Sequence, residues 1–530
     1  MDHRTPLDRL LCRVRAGEDV AEAEVMEALS SGPLQERAAA NAHLAQGYLE
    51  AGKNDKALYC AERAWFLGFR TNAMRRFLVH GLIAAGRNRD ALDRLREAAL
   101  LSARSNDVDG VCEAAVHFHT LASSSNLPIH DTILTEVVLA VLKASQPAVR
   151  QTRTDTLRIG YIFWGEEQEN NVLPPVLIET ARNHDRNKFE PVFFSYHQEE
   201  LLLRSNKTFK TWRSMIKEIG ADFVGNDHQP SIYKSSLSLS QKIVARGIDV
   251  LIPLGQMGIS FLIAGLRPAP LIVGLDLGHP HVYSSPALDH VISPSQHRHT
   301  MEQLCDATQI RGVYTAQSKI RPVPLSRATI GAAPDEVVVM TSGSAEKFQD
   351  TAFLQALGEV VTECNAVRLY LIGPAPESPA GEFFRHNFSS EACSRITLTG
   401  YREDFASFIR ASDIYVDTYP VGGGYAMYEV LSAGIVAITY GQRLRGLFNK
   451  LQHYSPASVY CAETGMVVPG DNVSHIKQRL LELVANPQMR HALGARGPES
   501  VHALMDTRAF TAEVERVILD LVAARSVIQR

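Results

Sequence analysis

Three adjacent glycines followed closely by a carboxylate are the residues here whose types and spacing most directly suggest chemistry. Gly422, Gly423 and Gly424 stand in the stretch Asp413 to Tyr440, DIYVDTYPVGGGYAMYEVLSAGIVAITY, and Glu429 comes five residues after the last of them. Glycine removes every Cβ from a turn, so backbone N–H groups can approach an anion at the positive end of a helix. Such an amide turn suits a diphosphate, and a carboxylate on the following helix suits the paired hydroxyls of a ribose. The segment reads as the nucleotide-diphosphate end of a sugar-nucleotide site. The plain alternative is a flexible turn followed by a solvated glutamate. The spacing matches neither a dinucleotide fingerprint nor a Walker-type phosphate loop.

The elements around the turn must position it. Ile414, Tyr415 and Val416 form a short β-rich run before it, Ile435 to Tyr440 forms a second after it, and a helix lies between them. At 530 residues the chain is too long for one core and implies two to four domains. Its 45% apolar and 21% charged residues are those of ordinary globular material, and a net charge of −4 gives no general attraction for nucleic acid. No apolar run approaches the roughly 20 residues that span a bilayer. The first twenty residues lack an apolar signal core, and the seven cysteines, Cys12 to Cys461, include no CxxC pair. Reduced thiols and a cytoplasmic location are the expectation.

Residues 1 to about 150 carry almost no strand signal and much Ala, Leu, Glu and Arg at helical spacing. They also repeat. Gly47, Gly52, Ala57 and Ala64 recur 34 residues later as Gly81, Gly86, Ala91 and Ala98, within GYLEAGKNDKAL and GLIAAGRNRDAL. This period resembles the tetratricopeptide repeat, whose small residues let paired helices approach closely. Two recognisable repeats are fewer than a free solenoid needs, so the block is expected to lean on the rest of the chain. A peptide-binding surface and a structural cap both fit it.

After a polar linker at Gln151 to Thr156 the texture changes. LRIGYIFW, KFEPVFFSY, ADFV, IDVLIPLG and APLIVGLDLG read as strands separated by helices. A second series follows a proline-containing connection, with strands in EVVVMT, VRLYLIG, RITLTG, DIYVDT and IVAITY and helical material from Val473 to Ile528. Strands alternating with helices of ten or more residues imply parallel sheets covered on both faces. The expected fold class is α/β of GT-B type: two Rossmann-like domains facing a cleft, at 157–325 and 326–530, preceded by an all-α TPR-like domain at 1–150. Ligands in such sheets sit at the carboxyl ends of the strands.

Specific text then points to a family. LRIGYIFW, HDRNKFEPVFFSY, GIDVLIPLGQMG, LRPAPLIVGLDLGHP and LDHVISP, continued by TSGSAEKFQDTAFLQAL, ITLTGYREDF and DIYVDTYPVGGGYAMYEVLSAG, resemble the catalytic region of the O-GlcNAc transferase family and its bacterial relatives, the cytoplasmic protein N-glucosyltransferases. The likeness runs over roughly Leu157 to Tyr440, and members also carry a helical amino-terminal region. It implies roles residue by residue. Lys347 matches the lysine that touches the donor diphosphate and offsets leaving-group charge, a task suited to an ammonium. Glu429 falls where the family has an aspartate that holds the ribose, and Gly422, Gly423 and Gly424 occupy its donor-phosphate turn without the Asn or Thr usual there. Tyr401 is placed near the uracil or in the core. Asp276 and His279, in DLGHP, face sugar or acceptor, or only end a strand; Arg267 fixes the fold. The family's histidine-bearing loop after the first strand is replaced by GEEQENN, where Glu166, Glu167 or Glu169 could serve as base or simply be solvated.

The resulting expectation is an inverting, metal-independent glycosyltransferase that moves a hexose or N-acetylhexosamine from a UDP-sugar to a protein acceptor. Its catalytic candidates are Lys347, His279 and Glu166. No cofactor is expected beyond the UDP-sugar substrate, and the cleft segments show no obvious DxD or clustered His/Asp metal pair. A lipid-linked or polysaccharide acceptor keeps the same donor site, and a non-catalytic scaffold with a vestigial cleft is the reading from another class.

Overall fold

The computed structural model describes residues 6–18, 20, 24–25, 27, 29, 33–125, 127, 131–148, 156–163, 173–253, 258–275, 286–294, 306–310, 326–402, 404–420, 422–423, 425–441, 461, 467–468, 472–502 and 506–528. The chain divides into two compact units. The first is all helical and is built from the pairs Leu34–Glu50 with Asn54–Phe66, Asn72–Ala84 with Asn88–Arg104, and Val108–Ser124 with Thr132–Lys143. The 34-residue period has a direct structural meaning. Gly52 and Gly86 each close the turn between the helices of a pair at φ +72° and +71°, a left-handed conformation that disfavours side chains with a Cβ. Ala57, Ala64, Ala91 and Ala98 are buried where the helices meet. A Cβ at Gly81 would stand 3.0 Å from the Leu58 side chain, so the helices approach as closely as the small residue allows.

The helical unit comprises Met1–Gln146 and adds Gln229–Ser238 and Met257–Leu266, which the sequence reading placed in the first α/β domain. Gln146 Nε2 donates to the Gly265 carbonyl at 3.0 Å, and the Ser231 hydroxyl is bonded to Asp109. Ile259–Gly265, a helix buried along its length, lies against Thr132–Lys143. An array of few repeats leaves an apolar end, and this short helix covers it.

The second unit holds two parallel sheets. The first has seven strands in the order β3-β2-β1-β4-β5-β6-β7: β1 Leu157–Ile162, β2 Phe189–Phe194, β3 Asp222–Val224, β4 Val250–Pro253, β5 Leu271–Leu275, β6 His290–Pro294 and β7 Ala307–Ile310. The second has six in the order β10-β9-β8-β11-β12-β13: β8 Val337–Ser342, β9 Val367–Ile372, β10 Ile396–Leu398, β11 Ile414–Val416, β12 Val436–Tyr440 and β13 Val467–Val468. Continuous apolar runs such as VVVM in β8 are buried on both faces, as strands covered by helices must be. The short strands β7 and β13, each at a sheet edge, went unread in the sequence because ATQI and a lone VV carry little strand signal.

Strand order reverses between β1 and β4 in the first sheet and between β8 and β11 in the second. These are the points where the chain leaves opposite sides of the sheet and opens a crevice. Helix Thr507–Ile528 ends the described chain, and its Phe510, Val514, Val517 and Ile518 are buried in the core of the first sheet. Sequence order had placed this helix with the second α/β domain. Arg267 has the structural role expected of it: at φ +53° it forks onto Asp289 at 2.8 and 2.9 Å and reaches the Ala287 carbonyl.

Candidate active site

The crevice between β8 and β11 is built from the segments that follow these two strands. After β8 the chain passes Gly343 into a single 3₁₀ turn, Ala345–Phe348, which carries Lys347. After β11 it runs through Asp417 and Thr418 to Gly422 and Gly423, then into helix Tyr425–Ser432. Lys347 Nζ donates to the Gly422 carbonyl at 2.8 Å, so two segments 75 residues apart meet at the glycine turn. Desolvation lowers the Lys347 ammonium from its ordinary value, and the Asp417 charge acts in the opposite direction.

Close backbone contact makes this possible. A Cβ at Gly343 would lie 3.0 Å from the Lys347 side chain and 3.2 Å from that of Thr418. Gly373, at the end of β9 with φ +120°, leaves no room at all, because a Cβ there would stand 1.8 Å from the Gly343 carbonyl oxygen. Glycine at 373 is what lets the ends of β8 and β9 close over one another, whereas a Cβ at 343 would ask Lys347 and Thr418 to give by a few tenths of an ångström.

Beneath the turn lies a buried polar group that the sequence reading missed. Asp417 is fully buried, and its Oδ1 accepts the Gly423 N–H at 2.6 Å and the Thr418 N–H at 3.1 Å. Its Oδ2 accepts the Thr439 hydroxyl at 2.9 Å. The Gly423 amide, expected to face an anion, is therefore engaged by the protein's own carboxylate. Tyr415, also buried, places its hydroxyl 2.8 Å from that of Ser342 and is raised by burial and by the charge of Asp417. Tyr440 donates to the Thr418 carbonyl at 2.7 Å. The available signal is an acidic residue directly after the apolar run Ile414–Val416, five residues before Gly422.

Glu429 lies on helix Tyr425–Ser432 with an exposed side chain, yet neighbouring atoms crowd it enough that desolvation pushes its carboxyl above the ordinary range. Tyr401 follows β10 and is 61% exposed, so it lies outside the core. Gly424, Asp276, His279, Glu166, Glu167 and Glu169 fall outside the described residues. The structure thus brings together Lys347, Gly422 and Gly423, with Glu429 on the adjoining helix.

Residues 336–486, which include all of these, match the family described as glycosyl transferases group 1. The matched segment, which holds the second sheet, is thus similar to a glycosyltransferase domain. Over the whole chain the fold is shared with a mutant O-GlcNAc transferase from Thermobaculum terrenum, at a TM-score of 0.57 and 18% identity, covering 98% of this chain and 97% of that one. The architecture is GT-B, with an amino-terminal all-helical region like the one in that enzyme. Weaker likenesses include sucrose-phosphate synthase from Thermosynechococcus elongatus, with TM-score 0.49, 14% identity, and coverage of 69% of this chain and 100% of that one. A glycosyltransferase from Rickettsia africae gives TM-score 0.49 and 11% identity, with coverage of 69% and 99%. No curated protein matches the chain. Among the described residues no helix is long and apolar enough to cross a membrane.

Proposed function

We propose that this chain is an inverting, metal-independent glycosyltransferase that moves a hexose or N-acetylhexosamine from a UDP-sugar to a protein acceptor in the cytoplasm. The first α/β domain, with helix Thr507–Ile528 in its core, takes the acceptor side, and the second holds the nucleotide. The observation that supports this reading best is the seating of Lys347 on the glycine turn, where strand order reverses.

In the reaction an acceptor nucleophile attacks the anomeric carbon while the bond from that carbon to the β-phosphate oxygen breaks. UDP departs with the bonding electron pair, and a single displacement inverts the centre. Lys347 neutralises the oxygen on which charge develops, in a setting dry enough for one cation to matter. The first-turn amides of helix Tyr425–Ser432 face the diphosphate, Glu429 holds the ribose, and Tyr401 lies against the uracil. The acceptor proton passes to His279 or to a carboxylate among Glu166, Glu167 and Glu169. The helical unit presents the protein acceptor.

Donor hydrolysis and transfer with UDP-sugars test this directly. Lys347→Ala is expected to lose about 100- to 1,000-fold in turnover. Unchanged turnover removes the leaving-group role. No thermal stabilisation of the wild-type chain by any nucleoside diphosphate removes the donor site, and mass spectrometry of co-expressed proteins that finds no added hexose removes the protein acceptor.

A further inference from the structure

The glycine turn is held by a fully buried side chain. Asp417 accepts hydrogen bonds from Gly423, Thr418 and Thr439, which together tie the turn to β12. Three donors directed at one fully buried carboxyl group are what an ionised carboxylate requires to be kept out of water. One residue away on the same turn, the Gly422 carbonyl accepts from Lys347. The two opposite charges therefore act on the two ends of one peptide group, Lys347 on its carbonyl oxygen and Asp417 on its N–H. We propose that Asp417 is a positioning residue of the donor site, its carboxylate fixing the glycine turn on which Lys347 rests and supplying the counter-charge to that ammonium.

The arrangement answers a specific problem. A lysine that must meet a diphosphate in a desolvated crevice loses part of its affinity for a proton, and the Asp417 charge works against that loss. A carboxylate on the ligand-facing side would repel the diphosphate. Asp417 is fully buried with its oxygens engaged by Gly423, Thr418 and Thr439, so its charge acts on the lysine from inside the protein. Among the described residues, the other titratable groups near Asp417 and Lys347 include Tyr415, on β11, Tyr440, whose hydroxyl is bonded to Thr418, and Glu429 on the following helix, whose charge acts on Tyr415.

That this turn binds a donor diphosphate rests on the proposed function, whereas the action of the Asp417 charge on Lys347 can be read without turnover. The full chain is labelled with trace acetic anhydride over a pH series, and the Lys347 peptide is quantified by mass spectrometry in wild type, Asp417→Asn and Thr439→Val, with hydrogen exchange measured over 418–428. In Asp417→Asn the Lys347 titration is expected to move to lower pH by about one unit. Thr439→Val, which keeps the charge and removes one bond, leaves that titration in place and speeds exchange of the turn about tenfold. A Lys347 curve in folded Asp417→Asn that superimposes on wild type overturns the proposal. If Asp417→Asn does not fold, Thr439→Val decides: exchange over 418–428 at the wild-type rate overturns it. A shifted Lys347 curve in a chain that binds no nucleoside diphosphate upholds the role of the Asp417 charge and sinks the donor site instead.

Discussion

Glu515 offers a test of how the carboxyl-terminal helix is fastened to the first α/β core. Its Oε1 accepts the Asp185 N–H at 2.8 Å and lies 2.8 Å from His184 Nδ1, while Nε2 of the same imidazole is 2.5 Å from the Tyr161 hydroxyl. The His184 side chain is fully buried, that of Glu515 is 14% exposed, and Tyr161 is enclosed in the core. The tautomer with a proton on Nδ1 donates to Glu515 and accepts from Tyr161, so every polar atom of the chain of bonds is used. Glu515→Ala removes two hydrogen bonds to a charged acceptor and leaves a buried ring N–H and an amide without it. At about 1.5–3 kcal/mol for each such bond, the expected cost is about 3–6 kcal/mol. Glu515→Gln keeps an acceptor oxygen in place and is expected to cost about 1–2 kcal/mol. Thermal unfolding should show Glu515→Ala melting on the order of 5–10 °C below wild type. Amide exchange in Thr507–Ile528 should rise by about 100-fold or more. Asp520→Ala, at an exposed pair with Arg516, serves as a control expected to change stability by less than about 0.5 kcal/mol. A Glu515→Ala protein that melts within about 1 °C of wild type, with exchange unchanged in that helix, would refute the reasoning.

Further outcomes follow from the same physical arguments. Gly373→Ala forces a Cβ onto the Gly343 carbonyl and is expected to cost about 3–5 kcal/mol in a denaturant melt, with loss of nucleotide binding as the end of β8 is displaced. In the helical unit Arg75 is 4% exposed and paired with Glu113, so Glu113→Ala should cost about 3–5 kcal/mol in thermal unfolding, against about 1 kcal/mol for Glu62→Ala at an exposed pair with Arg87. Because the folded state depresses Lys347, turnover that needs its ammonium should fall as pH rises through that lowered value, below the ordinary lysine range. The linkage has a definite sign: the unfolded chain binds the Lys347 proton more tightly, so this group adds stability as pH climbs from the depressed value toward 10.5, and Lys347→Ala flattens that rise in a pH series of melts.

Much of the fold was legible because its determinants are local. A strand covered on both faces must be written as an apolar run, so β1, β2, β8, β9 and β12 stood out. The left-handed turns at Gly52 and Gly86 recur at one period because each closes the same local geometry. The glycine turn and Lys347 could likewise be picked out from residue type and surrounding text. Other features depend on contacts between segments far apart in sequence. Helix Thr507–Ile528 carries an ordinary apolar face, and nothing local says that it covers the first core. Asp417 looks like any acidic residue at a strand end until folding surrounds it with Gly423, Thr418 and Thr439. Sequence alone determined which stretches become buried strands and where the chain can turn without a Cβ, since those are properties of a few adjacent residues. Only the tertiary structure decided which charge stands beside which, because desolvation and Coulomb attraction are set by distance in space.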